Sequence, residues 1–401
     1  MVTTDKFLSI KIARFLMKVV GFWTVDTQRE RKLLLALQKY TLFALGCAIW
    51  VEVCDFCASV GDFYALTYVA CSTMPVVIVL VKVTTFLYHE EKMLKLLRYT
   101  EKNFWYAEYD EYGRKILDEA ERKALVLITM FTFFVHGTVF CYMVAPMIEN
   151  IGKNESDRVL PFNIYLGVPV SISPYFEIAY AMEIIALIHS GLCFCCFDNF
   201  FGLLNIHVAA QFKILGHRVE ELFNKSYEDK SDMSKDQKIY EEFKKCVSQH
   251  RKLISYIKNM EHIFSYATLC QLLVSSVMLC VAGFQVFKGQ GTLLRRLIFI
   301  SHTNGTFFQI FVTTLTANDV MFESGAIGDY AYNLNWESSL AKTNEYMKYG
   351  ILMLMLRSSR MCCITAGGFF PVSLETFTTV LSTAASYFTL LQKFDLDLEG
   401  T

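Results

Sequence analysis

The side chains able to do covalent or metal chemistry are scattered along this 401-residue chain. His136, His189, His207 and His302 stand singly in apolar surroundings. The thirteen cysteines show no zinc-type pattern. Cys54-x-x-Cys57 is a lone pair, and Cys193, Cys195 and Cys196 crowd one apolar run, so they read as small packing side chains. A disulfide among outward-facing cysteines is left open. No catalytic, metal or cofactor site is expected. The polar groups that could act are hydroxyls set in an apolar helix near the end: Thr376, Thr379, Thr383, Ser386 and Thr389. Lipid has no use for them, whereas a helix that lines water does. Thr376, Val380, Thr383, Tyr387, Leu390 and Phe394 recur at intervals of three and four and form one stripe. Its first part is polar and its last part bulky and apolar, which could close a water path by dewetting. Spacing alone favours a packing seam, in which Ser and Thr bond back to their own helix. Asp395, Asp397 and Glu399 follow, either as an acidic ring at a pore mouth or as a solvated tail.

Ionisable groups also fall inside apolar runs. Glu183 is the sharpest case, because a carboxylate in a membrane span is costly and usually faces the bundle interior with a partner. His136 and His302 lie at similar depth. The two readings are a polar cluster in a pocket and an interhelical structural bond. Glu52, Asp55 and Lys82 raise the same question, and Lys82 is near enough to a span's inner end to snorkel instead.

The elements that must position these groups are membrane helices. Hydrophobic residues make up 54% of the chain. Apolar runs of about 20 residues, enough to cross a bilayer, recur at roughly 40–58, 65–88, 124–148, 176–204, 263–287, 297–318 and 366–391. The expected fold class is all-α, an integral membrane protein with seven transmembrane helices, since lipid offers backbone groups no partner. Strand alternation of a membrane barrel is absent, and no cleavable leader is visible. Counted on alternate sides of the spans, Lys and Arg number 31 on one side and 6 on the other. The excess puts the N-terminus in the cytoplasm and the C-terminus outside. The sequon Asn154-Glu155-Ser156 then lies outside and is a candidate glycosylation site, whereas Asn224-Lys225-Ser226 lies inside.

The resulting division is a cytoplasmic amphipathic N-terminus (1–39), transmembrane helices one to four (40–204), cytoplasmic extensions of helices four and five (205–262), and transmembrane helices five and six (263–318). A cytoplasmic loop with the first half of helix seven (319–364), a pore-lining helix (365–394) and an outer tail (395–401) follow. Phe7, Leu8, Ile12, Phe15, Leu16 and Val19 suit a helix on the inner membrane surface. Phe212, Leu215, Val219 and Leu222, then Phe243, Val247, Leu253, Ile254 and Ile257, give the extensions apolar stripes that need partners within or between subunits. A further helix is expected over 338–361, with Leu340, Met347, Ile351, Leu354 and Met355 on its apolar face, ahead of a break at Gly367-Gly368.

Ordered motifs near the C-terminus resemble the insect odorant receptor family. They are Tyr332 and Trp336, Leu356-Arg357-Ser358, Thr365-Ala366-Gly367, Phe369, Ser373-Leu374-Glu375-Thr376-Phe377, and Ser386-Tyr387-Phe388-Thr389-Leu390-Leu391. Gly21-Phe22-Trp23 is similar too. The specific motifs cover about the last 70 residues. Many members carry a proline just before Thr-Ala-Gly, where this chain has Met361-Cys362-Cys363.

The resemblance implies a ligand-gated non-selective cation channel in the plasma membrane of olfactory neurons. It implies four subunits around one pore, a tetramer shared with an odorant receptor co-receptor. Lacking the co-receptor's long insertion, this chain looks like the odorant-binding partner. The expected partners are the co-receptor, small volatile apolar ligands and membrane lipid, with no nucleic acid. The family's pocket lies in the outer half, among spans two, three, four and six. That depth picks out Tyr68, Cys71, Ser72 and Pro75; His136, Val139, Phe140 and Met143; Tyr180, Glu183, Ile184 and Leu187; and His302, Thr303, Thr306, Phe307 and Ile310. The family's constriction favours Leu390, with Phe394 next. A gustatory receptor channel shares the architecture, but the Ser-Leu-Glu-Thr-Phe run favours the odorant branch. A G-protein-coupled receptor would need an outside N-terminus and Asp-Arg-Tyr and Asn-Pro-x-x-Tyr motifs, which the chain lacks.

Overall fold

The computed structural model describes residues 7–23, 27–163, 170–224, 233–288, 292–334 and 345–399. Trp336 and Leu340 lie outside them. Helices dominate: α1 (Leu8–Val19), α2 (Gln28–Ala58), α3 (Phe63–Tyr88), α4 (Glu90–Thr100), α5 (Glu111–Glu149), α6 (Tyr175–Asn224), α7 (Met233–Lys288), α8 (Leu293–Tyr332), α9 (Glu345–Ser358) and α10 (Leu374–Glu399). Two short strands, β1 (Thr365–Ala366) and β2 (Phe370–Pro371), pair antiparallel between α9 and α10.

By length and composition, α2, α3, α5, α6 and α7 can each cross a membrane. At 40 and 26 residues, α8 and α10 have the length, but among the described residues neither holds a spanning stretch as apolar as those five. Their hydroxyls are handled within the helix: Thr303, Thr306, Thr314 and Thr316 of α8 donate to carbonyls four residues back. Such back-bonding lets a Thr-rich helix sit away from water.

Side-chain caps start several helices. The Asp62 carboxylate accepts from the Tyr64 and Ala65 amides at 2.9 and 3.1 Å and opens α3. Asp110 accepts from Gly113 at 2.9 Å and opens α5. Both satisfy amides that a helix start leaves free.

At 50 and 56 residues, α6 and α7 run unbroken well past any bilayer. Their extended halves pack within one chain: Phe212, Leu215, Val219, Phe243, Leu253 and Ile257 are buried. From α9, Met347, Ile351 and Leu354 join the same core. The other side of α9 leaves Tyr346, Tyr349, Leu352, Met353 and Leu356 exposed. Met355 packs partly against the core.

Two expectations change. α1 does not rest on a membrane surface through one whole apolar face. It buries Ile10, Ala13, Leu16 and Met17 in the protein core, while Leu8 and Phe15 are exposed. The Ser9 amide donates to Glu121 of α5 at 2.8 Å, and the Ser9 hydroxyl donates to the same carboxylate. Polar anchoring to α5 therefore fixes which face turns inward. Lys82 does not snorkel. Its ammonium is buried and pairs with Asp198 of α6 at 2.6 Å, a partner given only by the bundle.

The Gly367-Gly368 break is a hairpin turn. The Phe369 amide donates to Ala366 O at 3.0 Å, and φ is +61° at Gly367 and +80° at Gly368. Two consecutive positive φ values suit glycine. The hairpin is tied to α7: the Ser265 hydroxyl donates to Thr365 O at 2.8 Å, the Gly367 amide donates to Ser265 O at 3.0 Å, and the Thr365 hydroxyl donates to Glu261 at 2.7 Å.

Candidate functional site

A cavity of about 380 Å³ opens among α2, α3, α5, α6 and α8. That volume suits a small organic ligand. Its walls follow helical register. From α5 come Val135, Thr138, Val139 and Tyr142; from α6, Glu183, Ala186, Leu187, Ser190 and Phe194; from α8, His302, Gly305 and Thr306. Steps of three and four keep one face of each helix toward the space. Small residues make the room. A Cβ on Gly191 would stand 2.8 Å from Val139, so α5 and α6 approach closely here.

Of the residues picked out by depth, Ser72, Val139, Glu183 and Leu187 line this cavity, as do Pro75, His302 and Thr306. The structure does not bring the others to it. Cys71, His136, Phe140, Met143, Ile184, Thr303 and Phe307 each sit one residue along from a lining position, about 100° round the helix. Phe140 is exposed on the outside of the bundle. The His136 ring lies 2.9 Å from Thr132 O on its own helix. The Tyr180 hydroxyl donates to Met143 O, joining α6 to α5. Tyr68 and Cys71 belong to a separate cluster with Val281, Ala282 and Phe299. Ile310 is buried in the seam toward α10, and Phe307 stacks edge-on with Phe377 of α10 at 5.3 Å.

Sequence reasoning missed the contribution of α2. Tyr40, Phe43, Cys47, Val51 and Glu52 form one wall. The available signal was Glu52, an intramembrane carboxylate without a local partner. Phe162, from the segment after α5, and Met278 of α7 close the remaining sides.

The cavity's polar groups are few. The Glu52 carboxylate accepts from Ser72 at 2.8 Å and Thr73 at 2.9 Å. The Glu183 carboxylate accepts from the Phe162 amide at 3.2 Å. Tyr142 OH and His302 Nε2 are 3.1 Å apart, and Phe162 stacks on the Tyr142 ring. Asp55, further along α2, accepts from Asn163 at 3.2 Å.

Below Phe194 and Thr306 lies a buried polar network. Asp198 receives Lys82 and, at 2.7 Å, Gln309 of α8. Gln309 in turn accepts from Ser275 of α7 at 3.4 Å. Near the start of α8, Arg295 meets Glu149 through two nitrogens at 3.1 Å. Burial works against the Glu149 charge, but the hydrogen bonds from Arg295 and Thr292 and the Arg295 charge outweigh it and hold the carboxyl below its usual range.

α10 packs on this bundle through Phe377, Val380 and Leu381, and Phe388 lies 5.6 Å from Phe287 of α7. Of the predicted stripe, Thr376, Val380 and Thr383 are half-buried, whereas Tyr387 and Leu390 are 51% and 62% exposed. The Phe394 side chain lies outside the described residues. The Thr383, Ser386 and Thr389 hydroxyls donate to carbonyls of their own helix. The Asn154 sequon sits on an exposed single turn at Glu155–Asp157. All thirteen cysteines are free, and no group of His, Cys, Asp and Glu among the described residues could hold a metal.

A bundle of long apolar helices, several of them able to span a bilayer, is the architecture of a multi-pass membrane protein. The family model described as 7tm Odorant receptor matches residues 63–385, and the chain belongs to that family. It is similar to odorant receptor 13a of Drosophila melanogaster, 25% identical over 98% of this chain and 97% of the relative. It is also similar to odorant receptor Or2 of Anopheles gambiae, 24% identical over 59% of this chain and 61% of that one. The solved olfactory receptor OR5 of Machilis hrabei in complex with eugenol superimposes with a TM-score of 0.83 at 15% identity, covering 96% of this chain and 97% of the other. The seven-helix membrane fold and the odorant receptor class follow.

Proposed function

We propose that this chain is the odorant-binding subunit of a ligand-gated, non-selective cation channel, assembled as a tetramer with an odorant receptor co-receptor. The observation that carries the reading is the apolar cavity of about 380 Å³ held between spans. Ser72, Val139, Glu183 and Leu187 contact odorant directly. Tyr68, Cys71, His136, Phe140, Met143, Tyr180, Ile184, Thr303 and Phe307 act from the helix faces around it. Phe307 has the clearest route outward, because it packs on Phe377 of the final helix.

In this reading α10 lines the pore through Thr376, Val380, Thr383, Tyr387, Leu390 and Phe394, with Leu390 at the outer constriction. The exposed Tyr387 and Leu390 support it, since a single chain leaves them without cover. The long ends of α6 and α7 with α9 form the cytoplasmic anchor. The exposed row Tyr346, Tyr349, Met353 and Leu356 meets neighbouring subunits there. Asn154, on the outer side, carries glycan.

The test is electrical. The chain is expressed with and without an insect co-receptor, and currents are recorded across broad odorant panels. Odorant-evoked cation current in the presence of the co-receptor is expected. Protein at the cell surface that gives no such current across the panels overturns the channel reading.

A further inference from the structure

We infer that the cavity is loaded sideways from the bilayer, through a gap between α2 and α6, and takes apolar ligands dissolved in the lipid. The inference rests on the proposed role of the cavity as the odorant site and names the route into it.

The residues that line the cavity differ in exposure. Those from α3, α5, α7, α8 and the segment after α5 are buried or half-buried. Among the described residues the exposed ones all belong to α2 and α6: Tyr40, Phe43 and Cys47 on α2, Met182 and Ile185 on α6. Phe43 is 71% exposed, Met182 66% and Ile185 59%. A side chain that touches both the cavity and the outside of the bundle marks an opening between them.

The opening has a frame. At one end α2 meets α6 at His189: the Thr41 hydroxyl lies 2.9 Å from His189 Nε2, and the Tyr40 ring packs edge-on against the imidazole at 4.9 Å. At the other end the segment after α5 bridges the two helices. The Phe162 amide donates to Glu183 of α6 at 3.2 Å, and the Asn163 side chain donates to Asp55 of α2 at 3.2 Å. These contacts roof the cavity toward the outer solution. Between the two ends the lining residues include Ala44 and Ala48 on α2 and Ala186 and Ser190 on α6. Such short side chains do not fill the space between the helices.

Both helices are long and apolar enough to cross a membrane, so the rim meets acyl chains. α10 packs on α7 and α8, so the gap is not on the face that carries the proposed pore. Hydrocarbon enriches an apolar solute about fourfold per methylene over water. A ligand coming from the outer solution has to part the polar contacts of Phe162 and Asn163. One coming from lipid meets an apolar rim, in which Met182 is flexible.

The test uses the purified receptor in phosphatidylcholine vesicles and a small apolar photolabel, trifluoromethyl-iodophenyl-diazirine. Light flashes at increasing delays after its addition read how fast Val139, inside the cavity, is labelled relative to Phe133, which faces outward on the same helix. Ile185→Trp narrows the rim and should delay Val139 labelling about tenfold. Ile185→Ala widens the rim and should hasten it. Asn163→Ala loosens the roof and should leave the delay as it is. Val139 labelling that ignores both Ile185 variants, that speeds up in Asn163→Ala, or that never occurs in the wild-type protein overturns the inference. Currents give a second readout: with panel odorants that open the channel, onset and washout should slow together in Ile185→Trp. Labelling that follows the gap in protein that gives no current overturns the channel reading and leaves the inference standing. Current whose onset ignores Ile185 overturns the inference and leaves the channel reading standing.

Discussion

Lys82 of α3 holds Asp198 of α6 at 2.6 Å in the bundle interior, both side chains almost fully buried, and Gln309 of α8 donates to the second Asp198 oxygen at 2.7 Å. Three spans are pinned at one point, directly below the cavity residues Phe194 and Thr306. Removing one partner leaves a buried charge uncompensated, at a cost of about 3–5 kcal/mol. Lys82→Met should therefore sharply lower the thermal stability and surface yield of the purified receptor. The double variant Lys82→Met/Asp198→Leu should recover much of the loss, because no lone charge remains. A double variant as poor as the single one would mean that the pair is not the dominant interaction.

The turn before the last helix gives a second comparison. A Cβ on Gly367 would lie 2.5 Å from Leu269 Cδ2, whereas one on Gly368 meets nothing within 4 Å. Both positions carry positive φ, so alanine at either costs about 1–2 kcal/mol of backbone strain. Only Gly367→Ala also displaces Leu269 of α7. Thermal denaturation should rank Gly367→Ala below Gly368→Ala, and equal stability would remove the close approach from the explanation.

At the other end of α10, Leu390 is exposed in the single chain. If it forms the constriction, Leu390→Ala widens an apolar gate and should raise basal leak or alter ion permeation at unchanged surface level. Wild-type leak and permeation in that variant would move the gate elsewhere.

The extended halves of α6 and α7 carry a pH dependence. Burial, with the Arg357 charge adding to it, lowers the His250 ring from 6.5 to about 4. Its ring packs edge-on against Phe212. Because the folded value is the lower one, the unfolded chain takes up its proton first on acidification. The contribution of neutral His250 is therefore full above pH 6.5 and is lost as the pH falls from 6.5 toward 4. Melting temperature against pH should decline over that window, and His250→Gln should flatten the decline. An unchanged slope in the variant would assign it to other groups.

The sequence by itself determined the class of fold. Apolar runs of spanning length, the lopsided Lys and Arg count and the hydroxyl-bearing final helix are local properties, legible without coordinates because a bilayer imposes the same length and polarity on each segment. It also marked Glu52, Asp55, Lys82 and Glu183 as groups in need of partners. The tertiary structure decided who those partners are: Ser72 and Thr73, Asn163, Asp198, and the Phe162 amide. It also decided register. Depth alone placed His136, Phe140 and Met143 beside Val139 as equals, yet only Val139 lines the cavity. In spans that are apolar nearly all round, polarity does not show which face turns inward. That face is fixed where helices from distant parts of the chain close on one another, as at Gly191 against Val139.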